Sequence, residues 1–202
     1  MNMKIKIASL LILIPTAFLL GRISAQEDVQ PACTQCSADY ISAEEISSYE
    51  RIGRTQRITD QQVRSIDIGT ARVQIAVAHR GQLNSRAGRV AEHDRVTEVY
   101  YVISGGGTVM TSPELVDAQR RPPDNRAVMT LNGPGHNAAD VRNGVFHELK
   151  AGDMLVIPAG TGHEFTRIPD HISYVMVRVD PDKIVPLMSA EDSAAYLAEL
   201  SR

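Results

Sequence analysis

The chain has 202 residues, 43% of them hydrophobic and 22% charged, with a formal net charge of −3. That is the composition of one ordinary globular domain with short appendages. It lacks the basic stripe of a nucleic-acid binder, and with no Trp and only three Phe it is poorly supplied with base-stacking surface.

The first segment is organised as a targeting signal. Lys4 and Lys6 precede an apolar run from Ile7 to Leu20, and Gly21 to Ala25 ends on a small residue. This order predicts a secretory signal peptide over residues 1–25, with the mature protein starting near Gln26 and exported to the periplasm or beyond the cell. A retained anchor is the alternative, but the run is shorter than the roughly 20 residues a bilayer needs and is broken by Pro15, so no stable membrane anchor is expected after cleavage.

Residues 26–41 read as a polar tail carrying the two cysteines of the chain, Cys33 and Cys36. No βαβ context follows the CxxC, Ser37 stands where haem attachment needs His, and two thiolates make half a zinc site. A small disulfide loop is the favoured reading, since export permits one.

Ser42-Ala43-Glu44-Glu45 is a capping-box pattern, and Ile46, Tyr49 and Ile52 follow at helical spacing to an expected stop at Gly53. From about residue 62 the apolar period falls to two. Strands are expected over Val63–Ile68, Val73–Val77, Val96–Ile103, Thr108–Thr111, Ala127–Leu131, Val145–Leu149, Met154–Pro158, His163–Ile168 and Ile172–Val179. Ser104 to Gly107 is expected to be a hairpin turn, residues 113–126 a loop, and Asn132 to Gly135 a break. A last helix is expected from Ser189. Many short strands separated by turn signals indicate an all-β sandwich or barrel over 42–188, with the closing helix over 189–202.

Two stretches carry chemistry. Gly152, Pro158, Gly160 and His163 are spaced as G, five residues, P, one residue, G, two residues, H, which resembles the second motif of the cupin superfamily. Arg167 stands where that motif ends in Asn. His93, Glu98 and Gly105 are similar to the second His, the Glu and the Gly of the first cupin motif, whereas the first His of that motif falls on Ala91 and its Gly on Ser85. The resemblance spans roughly residues 60–180. It implies a double-stranded β-helix (jelly-roll) barrel and a divalent metal held by His93, Glu98 and His163.

Two imidazoles and one carboxylate suit Fe(II) with open positions. Fe(II) or Mn is favoured, and Zn, Ni or Cu would fit the same donors. Tyr100 and His79 are the candidates for proton transfer if both point inward. Arg95, on the motif loop, is the candidate anchor for an anionic substrate, with Arg80 and Arg89 as further arginines of the same type. His136, in the Gly-rich loop at 133–137, sits where a loop would reach over the barrel mouth, although plain surface is the simpler reading.

The expected partner is therefore a small-molecule ligand or substrate, and a homodimer is left open. The leading function is a metal-dependent oxidoreductase. The alternatives are a non-enzymatic small-ligand-binding or sensing barrel and a metal-free structural barrel, because this fold does not itself specify a function.

Overall fold

The computed structural model describes residues 30–34 and 36–200, so the expected signal peptide lies outside the described residues. Both cysteines are disulfide-bonded, the state favoured from the sequence. Half of the capping box forms: Ser42 Oγ accepts from Glu45 N at 3.1 Å and opens helix α1 (Ala43–Gln56), while the Glu45 carboxylate accepts from Arg64 and Ser193. The helix runs past Gly53, where a stop was expected, and ends at Arg57 in the left-handed conformation. Gly53 marks close packing instead, for a Cβ there would lie 3.1 Å from the Cβ of His79.

Twelve strands follow in order: β1 (Asp60–Asp67), β2 (Arg72–Arg80), β3 (Val90–His93), β4 (Thr97–Ser112), β5 (Leu115–Val116), β6 (Gln119–Arg120), β7 (Gly135–Ala138), β8 (Asp140–Val141), β9 (Val145–Lys150), β10 (Met154–Ile157), β11 (Gly162–Arg167) and β12 (Ile172–Asp180). Helix α2 (Ala190–Leu200) closes the chain, and Ser189 accepts from Asp192 N at 3.2 Å just before it. Every strand pair is antiparallel, and the fold is the expected jelly-roll barrel.

One face orders its strands β1-β2-β12-β4-β10. The other orders them β9-β4-β11-β3-β7-β6, so β4 serves both. The expected hairpin at Ser104 to Gly107 is not a turn. Instead the 16-residue β4 passes straight through the glycines and bends from one sheet into the other. Side chains have no room at this corner: a Cβ on Gly105, whose φ is +69°, would lie 2.0 Å from His171 O, and one on Gly106 would lie 2.5 Å from Leu149 O. The expected strand at Ala127–Leu131 is also corrected. Residues Val128–Asn132 form a π-helical turn, begun by Asn125 Oδ1 accepting from Ala127 N. Only Val128 of that segment is buried, so no sheet face calls for the other side chains.

The core between the layers is built from alternate residues of each strand: Ala76 and Ala78, Tyr100 and Val102, Phe165, and Tyr174 and Met176. Val63 and Val77 face outward instead and are covered by Tyr49 of α1 and by Tyr196 and Leu197 of α2. Buried Arg64 ties α1 to β1 through Glu45 at 2.8 Å.

Replacing Gly105 by Ala is expected to destabilise the barrel by at least about 2 kcal/mol, because left-handed strain alone is about 1–3 kcal/mol and the carbonyl clash adds to it. Urea unfolding of the two proteins side by side measures the difference.

Candidate metal centre

The candidate centre forms where β3, β4 and β11 meet. Strand β3 ends on His93, the first inward residue of β4 is Glu98, and His163 is the second residue of β11. Period two then carries Glu98, Tyr100 and Val102 to the interior and leaves Tyr101 45% exposed on the outer face, opposite Met154. Tyr101 is thus solvent-facing rather than covered by a second layer. Pro158 and Gly160 deliver His163 as the motif spacing implies: Gly160 N donates to His93 O at 2.7 Å, which locks the turn before β11 against the end of β3.

The three side chains are buried and converge. His93 Nε2 lies 3.6 Å from Glu98 Oε1, and His163 Nε2 lies 3.5 Å from Glu98 Oε2. The ligand atoms of all three lie within 4.8 Å of one another. Neighbouring ligands about 2.1 Å from one tetrahedral ion stand about 3.4 Å apart, so this spacing fits a divalent ion. The surroundings of two donors also fit. His163 donates from Nδ1 to Thr161 O at 3.1 Å, which leaves Nε2 with its lone pair toward Glu98. Glu98 accepts from Tyr100 Oη at 2.9 Å and from Arg178 Nε at 2.9 Å, the outer contacts that orient a ligating carboxylate.

His93 is the discordant donor. Arg121 Nη2 lies 3.0 Å from its Nδ1, and a guanidinium only donates. That contact places the proton of a neutral His93 on Nε2, facing Glu98. A metal at Nε2 therefore has to displace this proton or turn Arg121 away.

Burial lowers the His93 pKa to about 3; Glu98 opposes the shift, while His163, Arg121 and Arg178 assist it. The ring is therefore neutral near pH 7, as a ligand must be. Burial works against ionisation of Glu98, but His93, Arg178 and His163 overcome it and hold the carboxyl below its usual range. Burial, reinforced by Glu98, raises the Tyr100 phenol well above its usual value, so it keeps its proton.

Ala91 lies on β3 directly opposite His163, on the same strand face as His93. It is the position where the first motif histidine would stand, so the space for a fourth imidazole is open. Tyr100 is inward as expected and borders a cavity of about 260 Å³ that also exposes His163, Ala91, Arg80 and Phe165.

Two expected site residues lie elsewhere. His79 faces outward on β2, where it contacts Ser173 Oγ through Nδ1 at 2.8 Å and stacks on His171 beneath α1. The alternation with Ile75 and Val77 is real, but that face packs under the helices while Ala76, Ala78 and Arg80 face the barrel. Arg95 projects from the turn before β4 with 58% of its side chain exposed and pairs with Asp182 at 2.7 Å, because buried Val96 takes the inward place. His136 is part of strand β7, where it contacts Glu92 Oε2 at 2.8 Å, so residues 135–137 of the Gly-rich segment lie in the sheet.

No protein-family model and no curated protein matches this chain. Solved structures do. Among them are a cupin protein and a protein with a double-stranded β-helix domain. A protein from Bacillus halodurans matches at 14% identity over 80% of this chain and 95% of its own, with a TM-score of 0.41. An uncharacterized conserved protein with a double-stranded β-helix domain from Klebsiella pneumoniae matches at 17% identity over 76% and 99%, TM-score 0.39. A cupin protein from Bacteroides fragilis matches at 16% identity over 57% and 72%, TM-score 0.32.

The stability of the metal-free chain should depend on acid in a defined direction. His93 has a folded pKa of about 3 against an ordinary 6.5, so its contribution is whole above 6.5 and is lost as pH falls toward 3. Glu98, also lowered, acts with the same sign below 4.5. Denaturation between pH 7 and 3 should show falling stability, with a shallower slope in His93→Asn.

Proposed function

We propose that the chain is an exported metal-dependent oxidoreductase acting on a small organic molecule. The observation that carries this reading is the buried convergence of His93, Glu98 and His163 beside a cavity in which Ala91 leaves a ligand position open. Three protein donors characterise catalytic rather than structural metal sites, and two imidazoles with one carboxylate suit Fe(II) or Mn; Zn, Ni and Cu are the competing ions. When bound, such an ion supplies an open-coordination centre able to take O₂ or substrate.

The residues of the chain supply the rest. Arg178 and Tyr100 hold the Glu98 carboxylate in one orientation. Tyr100, which keeps its proton and borders the cavity, is the group placed to hydrogen-bond a substrate oxygen. The core side chains Val109 and Phe165 line the same cavity and exclude bulk water from its wall. Export is supported by the order of segments over residues 1–25 and by the disulfide of Cys33 and Cys36.

One observation favours a second reading. The Arg121 contact at His93 Nδ1 stabilises the tautomer that does not bind metal at Nε2, which suits a metal-free barrel that binds a small ligand.

Elemental analysis of the mature chain, purified without a chelating tag, decides between the two readings. The oxidoreductase reading expects iron or manganese near one equivalent, oxygen uptake with one of a set of phenolic, thiol and keto-acid substrates, and metal content at least about tenfold lower in His163→Ala. Ala91→His should tighten metal binding and slow oxygen uptake, because it fills the open position. His79→Ala should change neither. A chain that holds no metal as isolated or after loading with Fe(II) or Mn(II) would overturn the oxidoreductase reading and favour a ligand-binding or structural barrel instead.

A further inference from the structure

Arg80 ends β2 on its inward face, in step with Ala76 and Ala78 of the core. Its guanidinium lies 5.1 Å from the centre of the Phe165 ring, and its Nε donates to Tyr174 Oη at 3.1 Å. Among the described residues no carboxylate lies within ion-pair distance of it. The nearby acids are all engaged: Glu164 pairs with Arg86 at 2.8 Å, Asp60 with Arg178, and Glu98 with Arg178 at 2.9 Å. Arg80 is half-buried, and a guanidinium held against an aromatic ring with no carboxylate partner is free to pair with an anion that enters beside it.

The space beside it suits such an anion. Arg80, Arg89, Ala91, Tyr100, His163 and Phe165 border the same cavity of about 260 Å³. Leu83 and Val109 complete an apolar wall, and Glu164 contributes little negative charge because Arg86 and the Arg89 N–H already satisfy it. The cavity is smaller than the roughly 300–1,000 Å³ of ordinary ligand pockets, so the guest is small. Its polar end matches a planar guanidinium and its body matches aromatic and aliphatic side chains.

We propose that Arg80 is the anchor of a binding site for a small organic carboxylate. The carboxylate pairs with Arg80 and the apolar body lies along Phe165 and Leu83, toward Ala91 and His163. This narrows the substrate class of the reading above and rests on that reading only for which end of the ligand meets the candidate centre. The anion site itself requires no metal. Arg80 therefore takes the role that the exposed, paired Arg95 does not fill.

Isothermal titration of the mature chain, metal-stripped and metal-loaded, tests the site with three probes: acetate, benzoate and phenylacetate, each compared with its neutral amide. At least one carboxylate should bind about tenfold or more tighter than its amide in both forms, the scale expected of a hydrogen-bonded charge pair. Arg80→Gln should erase that preference while leaving metal uptake unchanged. Arg80→Lys, which keeps the charge and guards against a folding defect, should retain part of it.

Equal binding of acids and amides, an unchanged preference in Arg80→Gln, or binding of none of the three carboxylates would overturn the proposal. So would inorganic phosphate binding as tightly as the best carboxylate, since it has no apolar body. Carboxylate selectivity in a chain that takes up no metal would sustain the anion site while removing the oxidoreductase reading.

Discussion

A buried carboxylate is the constraint around which this barrel is arranged. Glu98 is 2% exposed, and a charge so placed is tolerated only when it is paired and hydrogen-bonded. Arg178 meets that need because the β12–β4 register sets it directly across from Glu98. Burial disfavours the guanidinium too, but Asp60 and Glu98 more than offset it, and Gln62 lies at 3.4 Å from Nη1. The chain Asp60–Arg178–Glu98 thus ties β1, across β2, to the β12–β4 pair and fixes the position of a candidate ligand with one set of contacts. Deleting Arg178 leaves the Glu98 charge without its cation in the core, which typically destabilises by about 3–5 kcal/mol. The same chain aims both Glu98 oxygens toward the imidazoles of His93 and His163.

The two faces of β2 show how one strand serves two purposes. Ala76 and Ala78 keep the interior narrow beside the large rings of Tyr100 and Tyr174, and Arg80 brings a cation to the cavity where the small residues end. Ile75, Val77 and His79 form the outer face, roofed by α1 and α2. Both faces are therefore buried, and hydrophobicity alone does not say which is the inside.

This is why the sequence offers both His79 and Arg80 as site candidates, although adjacent residues of a strand face opposite ways. The period was right, but its phase needed a residue known to face the cavity. Where such a residue existed the register followed: Glu98, as a motif position, set Tyr100 inward and Tyr101 outward. The second motif gave a complete spacing and located His163 and its turn. Strands β3 and β7 escaped notice because they are four residues each and carry Glu92, His93, His136 and Asn137, with no run of β-branched residues to mark them. The glycines of β4 are ambiguous for a physical reason as well. A Gly cluster signals a turn when the chain reverses, and signals close approach when another backbone crosses it; only the neighbours His171 and Leu149 decide. Arg178 left a legible trace, since an arginine in step with Tyr174 and Met176 breaks an otherwise apolar inner face.

The passage of β4 through both sheets has a consequence for how the barrel opens. Its first half is bonded to β10 and β12 and its second to β9 and β11, so neither sheet separates as an independent flap. Local fluctuations are left to the elements outside this seam, such as β5, β6 and the π-helical turn, whose amides should exchange with solvent through small openings. The amides of β4 should exchange only when the whole barrel unravels, which would make their protection a direct reading of global stability. The side chains it carries are thereby the last to lose their positions, and Glu98 is among them.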